Sequence, residues 1–162
     1  MYDMPAYPFP WSMPPQYWWP GGPRRAPRPQ PVLRDHGPQP YVVNIAQAAR
    51  INRNFRTALW TGEHFQVTLM SIPVGEDIGL EVHPATDQFI RIEDGQGLVQ
   101  MGPSRERLNF ERMAYPGFAV MIPAGTWHNV INTGNRPLKV YVIYAPPEHP
   151  RGTVHPTKPR EP

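Results

Sequence analysis

From residue 55 to residue 144 apolar and polar side chains alternate in short runs, the two-residue period of strands that bury one face. The runs that predict strands are Phe55–Trp60, Phe65–Ile72, Asp77–His83, Gln88–Glu93, Gly97–Met101, Leu108–Met113, Phe118–Ile122, Val130–Asn132 and Leu138–Tyr144, all short and rich in β-branched or aromatic residues. Turn-forming residues separate them, among them Thr61-Gly62, Pro73-Val74-Gly75, Glu93-Asp94-Gly95, Tyr115-Pro116-Gly117, Pro123-Ala124-Gly125 and Gly134-Asn135. Nine short strands with no helix between them predict an all-β sandwich or barrel. Ahead of them Asn44 can cap a short helix through Ala46, Ala48 and Ala49 that ends near residues 52–54.

The ends of the chain have a different pattern. Twelve of the 24 prolines fall in residues 1–40, where they fix φ and remove amide donors every few positions, so that helix and interior strand are both excluded. This arm has an aromatic half (Tyr2, Tyr7, Phe9, Trp11, Tyr17, Trp18, Trp19), a Gly21-Gly22 hinge and an Arg-Pro half with Arg24, Arg25 and Arg28. It is expected to be disordered or docked on a partner, since so many large rings left in water are an association liability. Residues 41–146 form the expected barrel domain and 147–162 a Pro-rich tail, whose His149 and His155 are expected to face solvent or a partner.

Charge narrows the function classes. Residues 41–146 carry nine basic and nine acidic side chains, so the net charge of +3 comes from the ends, and no clustered basic face argues for nucleic acid. The chain has no cysteine, which excludes disulfides and thiolate metal sites. No apolar run reaches the ~18 residues of a membrane helix, and a cytoplasmic protein without a membrane partner is expected. Candidate chemistry concentrates in Gly75–Gly95: Glu81 and His83, two apart, share one face of an extended strand, with Gln88 just beyond Pro84. His128 is a second polar point far along the chain.

These residues carry a resemblance. Gly75, Glu81, His83, Gln88 and Gly95 fall at the spacing Gly-x5-His-x-His-x4-Glu-x6-Gly, and Gly117, Pro123, Gly125, His128 and Asn132 match Gly-x5-Pro-x-Gly-x2-His-x3-Asn. Both stretches resemble the two motifs of the cupins. The resemblance, over about Phe55 to Ala145, implies a jelly-roll barrel of two antiparallel sheets holding a divalent metal (Mn, Fe, Ni or Zn) on Glu81, His83, Gln88 and His128, with Asp87 as the alternative to Gln88. Glu81 and Gln88 stand where cupins usually have His and Glu. One carboxylate, two imidazoles and an amide with open positions suit a hard-to-borderline divalent ion.

Two function classes follow. One is a metal-dependent enzyme on a small-molecule ligand, isomerase- or epimerase-like on a sugar or sugar phosphate, or dioxygenase-like, with Glu81 as ligand or as a buried general base of raised pKa. The other is a structural or assembly protein, spore-coat-like and spore-associated, in which the barrel is a scaffold and the arm makes the contacts. A homodimer or higher homo-oligomer is expected in both, because edge strands need cover. Arg91, Tyr115 and Tyr141 are candidate rim contacts. Trp127 should point away from the cavity, His64 sits at a surface hairpin, and Gly95-Gln96-Gly97 is a hairpin turn.

Overall fold

The computed structural model describes residues 29–160; the aromatic half of the arm, its glycine hinge and Arg24, Arg25 and Arg28 lie outside the described residues. Helix α1 (Ile45–Ile51) starts where expected, with the Asn44 side chain accepting from the Gln47 amide at 3.1 Å, and stops at Asn52. The strands are β1 (Arg56–Thr61), β2 (Gln66–Ile72), β3 (Asp87–Asp94), β4 (Gly97–Gly102), β5 (Phe110–Ala114), β6 (Ala119–Ile122), β7 (Trp127–Asn132), β8 (Leu138–Ala145) and β9 (Val154–His155). They form a six-stranded sheet ordered β6-β3-β8-β2-β1-β9 and a three-stranded sheet ordered β5-β4-β7. Every strand pairing is antiparallel, as the expected jelly roll requires.

Alternation explains the core. Met70 and Ile72 of β2, Ile90 and Ile92 of β3, and Val140, Val142 and Tyr144 of β8 point inward and meet Val99, Ala114 and Val130 from the smaller sheet. The opposite face of the large sheet is also apolar: Leu59, Val67, Leu69 and Tyr141 are covered by Ala48 and Ala49 of α1 together with Leu33, Tyr41 and Val43. Residues just before the helix are thus a cover for the barrel. Among the described residues no helix is long and apolar enough to cross a membrane.

Three expectations need correcting. Asp77–His83 is not a regular strand: it runs beside β7 with single bridges at Asp77–Ile131 and Glu81–His128. Between them Gly79 has φ +95°, which a side-chain-bearing residue rarely adopts, and donates its amide to Asp77 Oδ1 at 2.9 Å. Strand β7 starts at Trp127, three residues earlier than the pattern predicts, because that backbone pairs with both β4 and residue 81. The ninth strand lies in the tail, where Val154–His155 pairs with Thr57 and Arg56.

The tail is tied down by buried side chains. Gln66 donates to the His149 carbonyl at 2.9 Å and accepts the His149 amide at 3.0 Å. Asp35 joins three segments: it accepts the amides of Gly37 (2.9 Å), Thr61 (3.0 Å) and Gly152 (2.9 Å) and the Thr61 hydroxyl (2.5 Å). Partial burial works to raise its pKa, but these four donors outweigh burial and hold it below the usual carboxylate value. A depressed carboxyl adds stability above its unfolded-state pKa and loses it as pH falls through the folded value. Asp35→Ala is therefore expected to cost about 1–3 kcal/mol at neutral pH in urea unfolding. The gap from wild type should shrink once the pH drops below the ordinary carboxylate range, and a gap independent of pH would show that the charge of Asp35 does not matter.

Candidate metal centre

The two motif stretches meet through backbone. Glu81 donates its amide to the His128 carbonyl at 3.0 Å and accepts the His128 amide at 2.9 Å, so the two residues are directly opposed and their side chains leave on one side. Two residues on, the His83 carbonyl accepts the Gly125 amide at 2.8 Å, which holds the turn before β7 against the first motif. Glu81 Oε1 consequently lies 3.3 Å from His83 Nε2 and 3.4 Å from His128 Nε2. One donor atom from each of the three residues lies within 4.8 Å of the others.

The far nitrogens of both rings are anchored. His128 Nδ1 donates to the Thr126 carbonyl at 2.9 Å, which fixes the ring with Nε2 turned toward Glu81. His83 Nδ1 lies 3.1 Å from Glu148 Oε1, and Glu148 Oε2 accepts the Thr86 hydroxyl at 3.0 Å. This is the support that metal-binding imidazoles ordinarily have, an acceptor on one nitrogen that orients the other.

The central contacts are too long for charge-assisted hydrogen bonds, which run ~2.7–2.9 Å. Glu81 Oε1, His83 Nε2 and His128 Nε2 are all sealed from solvent and have no hydrogen-bond partner. A carboxylate oxygen and two imidazole nitrogens buried together in this way are a donor set that could hold a cation. Burial alone would raise the Glu81 pKa, but the polar pull of the His128 and His83 rings and their charge when protonated outweigh it and bring it to about 2. The expected raised pKa of a buried general base is thus reversed, and Glu81 is held as a carboxylate. Burial likewise works to lower the pKa of His83, but Glu81 and Glu148 outweigh it and raise it.

Gln88 lies on the inward face of β3, opposite Tyr144 of β8 and Ile122 of β6. It is 4% exposed, and its Oε1 is another sealed oxygen without a partner. Asp87 points outward and accepts the Ala124 amide at 2.8 Å, which commits it to holding a loop. The suggested rim residues are elsewhere: Arg91 is by Glu93, Tyr115 packs on Phe118, and Tyr141 is in the cluster under α1. Trp127 lies under the Arg105 guanidinium and His64 is exposed beside Glu63.

The tail supplies what the sequence reading missed. Glu148 and His149 reach the site, and His149 packs edge-on against Tyr144, whose ring also meets His83 edge-on at 5.7 Å. His149 and His155 are half-buried rather than solvent contacts. Nothing periodic in a Pro-rich segment marks such residues; Gln66, 83 positions away, places them.

A cupin domain model matches residues 68–144. The chain is 66% identical over 127 residues to the uncharacterized protein YrkC of Bacillus subtilis, covering 78% of this chain and 68% of that one. It is 39% identical over 123 residues to the uncharacterized protein L612 of Acanthamoeba polyphaga mimivirus, covering 75% of each. The chain belongs to the cupin superfamily. The crystal structure of BH2720 from Bacillus halodurans, at 66% identity, superposes with a TM-score of 0.77 over 77% of this cupin and 95% of that chain. TT1209 from Thermus thermophilus, at 24% identity and TM-score 0.55, covers 66% of this chain and 98% of its own and shares the fold.

The Glu148 contact gives a test of the site that leaves its donors intact. Loss of a carboxylate behind a ligating imidazole typically costs roughly 10- to 100-fold in metal affinity. Glu148→Gln is expected to lower the affinity for Mn2+ or Zn2+ by that order in chelator competition, with thermal unfolding of the stripped protein little changed; equal affinities would remove Glu148 from the site.

Proposed function

We propose that this cupin binds one divalent metal ion on Glu81, His83 and His128, with Gln88 as the fourth donor, and acts as a metal-dependent enzyme on a small molecule that bears oxygen donors. The observation that carries this reading is the set of four sealed donor atoms, two oxygens and two nitrogens, none of which has a hydrogen-bond partner. When bound, such an ion supplies Lewis-acid polarisation of a substrate oxygen or, for a redox-active metal, electron transfer at its open positions. Isomerase- or epimerase-like and dioxygenase-like reactions both use that chemistry. The residues contribute orientation: Thr126 and Glu148 aim the two imidazoles, and the Glu81–His128 backbone pair sets the spacing.

A second reading, an assembly protein with the barrel as scaffold, is favoured by exposed Phe110, Phe118 and Met121, which line one groove where the edge strands β5 and β6 come together. Elemental analysis separates the two. Purified wild type is expected to contain about one metal per chain, and Glu81→Ala and His128→Ala to lose it while remaining folded, as removal of one of few donors requires. A wild type that takes up no divalent ion would sink the enzymatic reading.

A further inference from the structure

A second group of polar side chains sits inside the barrel next to the candidate metal centre. Arg56 of β1 points inward and is 5% exposed, and Thr68 of β2 and Tyr144 of β8 are fully buried. Arg56 Nε, Thr68 Oγ1, Tyr144 OH, His149 Nε2 and His155 Nδ1 are sealed from solvent, and none has a hydrogen-bond partner. The pairing brings them together: Arg56 is opposite His155, and Tyr144 packs edge-on against His149 at 4.9 Å between ring centroids. The guanidinium meets the Met70 sulfur at 4.0 Å, lies over the Phe55 ring at 5.5 Å and faces the Tyr144 hydroxyl, and among the described residues no carboxylate lies within 4.0 Å of it.

A buried arginine without a counter-charge is expensive. The neighbours register its uncompensated field. Burial, then the Arg56 charge, pushes the His149 pKa down to about 4, and the same two causes lower that of His155. Burial raises the Tyr144 hydroxyl to about 12, so it remains a donor. Glu81 and Glu148 are engaged with His83 and, for Glu81, His128.

We propose that Arg56, Thr68, Tyr144 and His149 form an anion subsite that takes the carboxylate of a small organic acid, whose adjacent oxygen reaches the Glu81–His83–His128 centre. A planar guanidinium fork matches a carboxylate, and the hydroxyls of Thr68 and Tyr144 can donate to its remaining lone pairs. A single arginine suits one negative charge better than the two of a phosphate monoester. Tyr144 joins the two halves, since its ring lies edge-on to both His83 and His149. The second half of the proposal rests on the metal reading above; the anion site itself does not.

The test is calorimetric titration of the full chain with glycolate, acetate and inorganic phosphate, each against Mn2+-loaded and chelator-stripped protein. Wild type is expected to bind acetate equally in both forms and glycolate more tightly when loaded. Arg56→Met, which keeps length and loses charge, should weaken both by roughly 10- to 100-fold, the usual size of a hydrogen bond to a charged group, with metal content unchanged. Thr68→Val and Tyr144→Phe, which remove one hydroxyl each at nearly constant volume, should weaken binding several-fold and serve if Arg56→Met does not fold. An internal water only, seen as no heat with either carboxylate in either form, overturns the subsite, as does undiminished binding by the variants. Preference for phosphate overturns the carboxylate assignment. If wild type takes up no metal yet binds acetate, the subsite stands and the metal reading falls.

Discussion

Two backbone hydrogen bonds between Glu81 and His128 hold the functional half of this barrel together. Residues 47 positions apart become directly opposed, and opposition in an antiparallel pair puts their side chains shoulder to shoulder. The segment carrying Glu81 is not a continuous strand, so its alignment depends on this bridge, the Asp77–Ile131 bridge and the His83–Gly125 bond. The left-handed Gly79 and Gly125 lie on the two sides of the site, while the β2–β8 pair in the six-stranded sheet runs from Gln66–Tyr144 to Ile72–Leu138 without a register shift.

The electrostatics follow from that alignment. Glu81 faces two imidazoles whose other nitrogens are already engaged, one by a backbone carbonyl and one by Glu148. Replacing the more usual histidine of the first motif by Glu81 and the more usual glutamate by Gln88 keeps one negative charge in the set but moves it to the residue bridged to His128. Beyond Tyr144 the sign reverses, with Arg56 supplying positive charge that no described carboxylate meets. The barrel interior thus holds a carboxylate on one side of the Tyr144 ring's neighbours and a buried cation among the others. Stability depends on burying these groups in good geometry, because an unpaired neutral one costs about 1–3 kcal/mol in a low-dielectric interior and a charged one costs more.

Much of this was legible in the residues. The alternation marked most strands, Asn44 marked the helix start, and the spacings about His83 and His128 placed the two halves of the site. The Asp77–His83 run misled because its alternation is real while Gly79 breaks its pairing, a local backbone event that periodicity does not register. The expected strand Val130–Asn132 stops short of His128 because the pairings that extend β7 back to Trp127 come from β4 and residue 81, which no local window sees. Arg56 could have been found: it shares strand parity with Ala58, an inner position of β1, and a lone arginine there is unusual. Glu148 and His149 could not, since a Pro-rich tail has no period and their places are set by Gln66 and β9.

The central claim is that the sealed atoms of Glu81, His83, Gln88 and His128 surround a metal ion. Anomalous diffraction at the Mn absorption edge, on crystals of the Mn2+-loaded full chain, addresses it directly. The account predicts one strong peak per chain, coordinated by Glu81 Oε1, His83 Nε2 and His128 Nε2 and by the Gln88 oxygen. No peak there, with ordered water hydrogen-bonded to those four atoms instead, would contradict it.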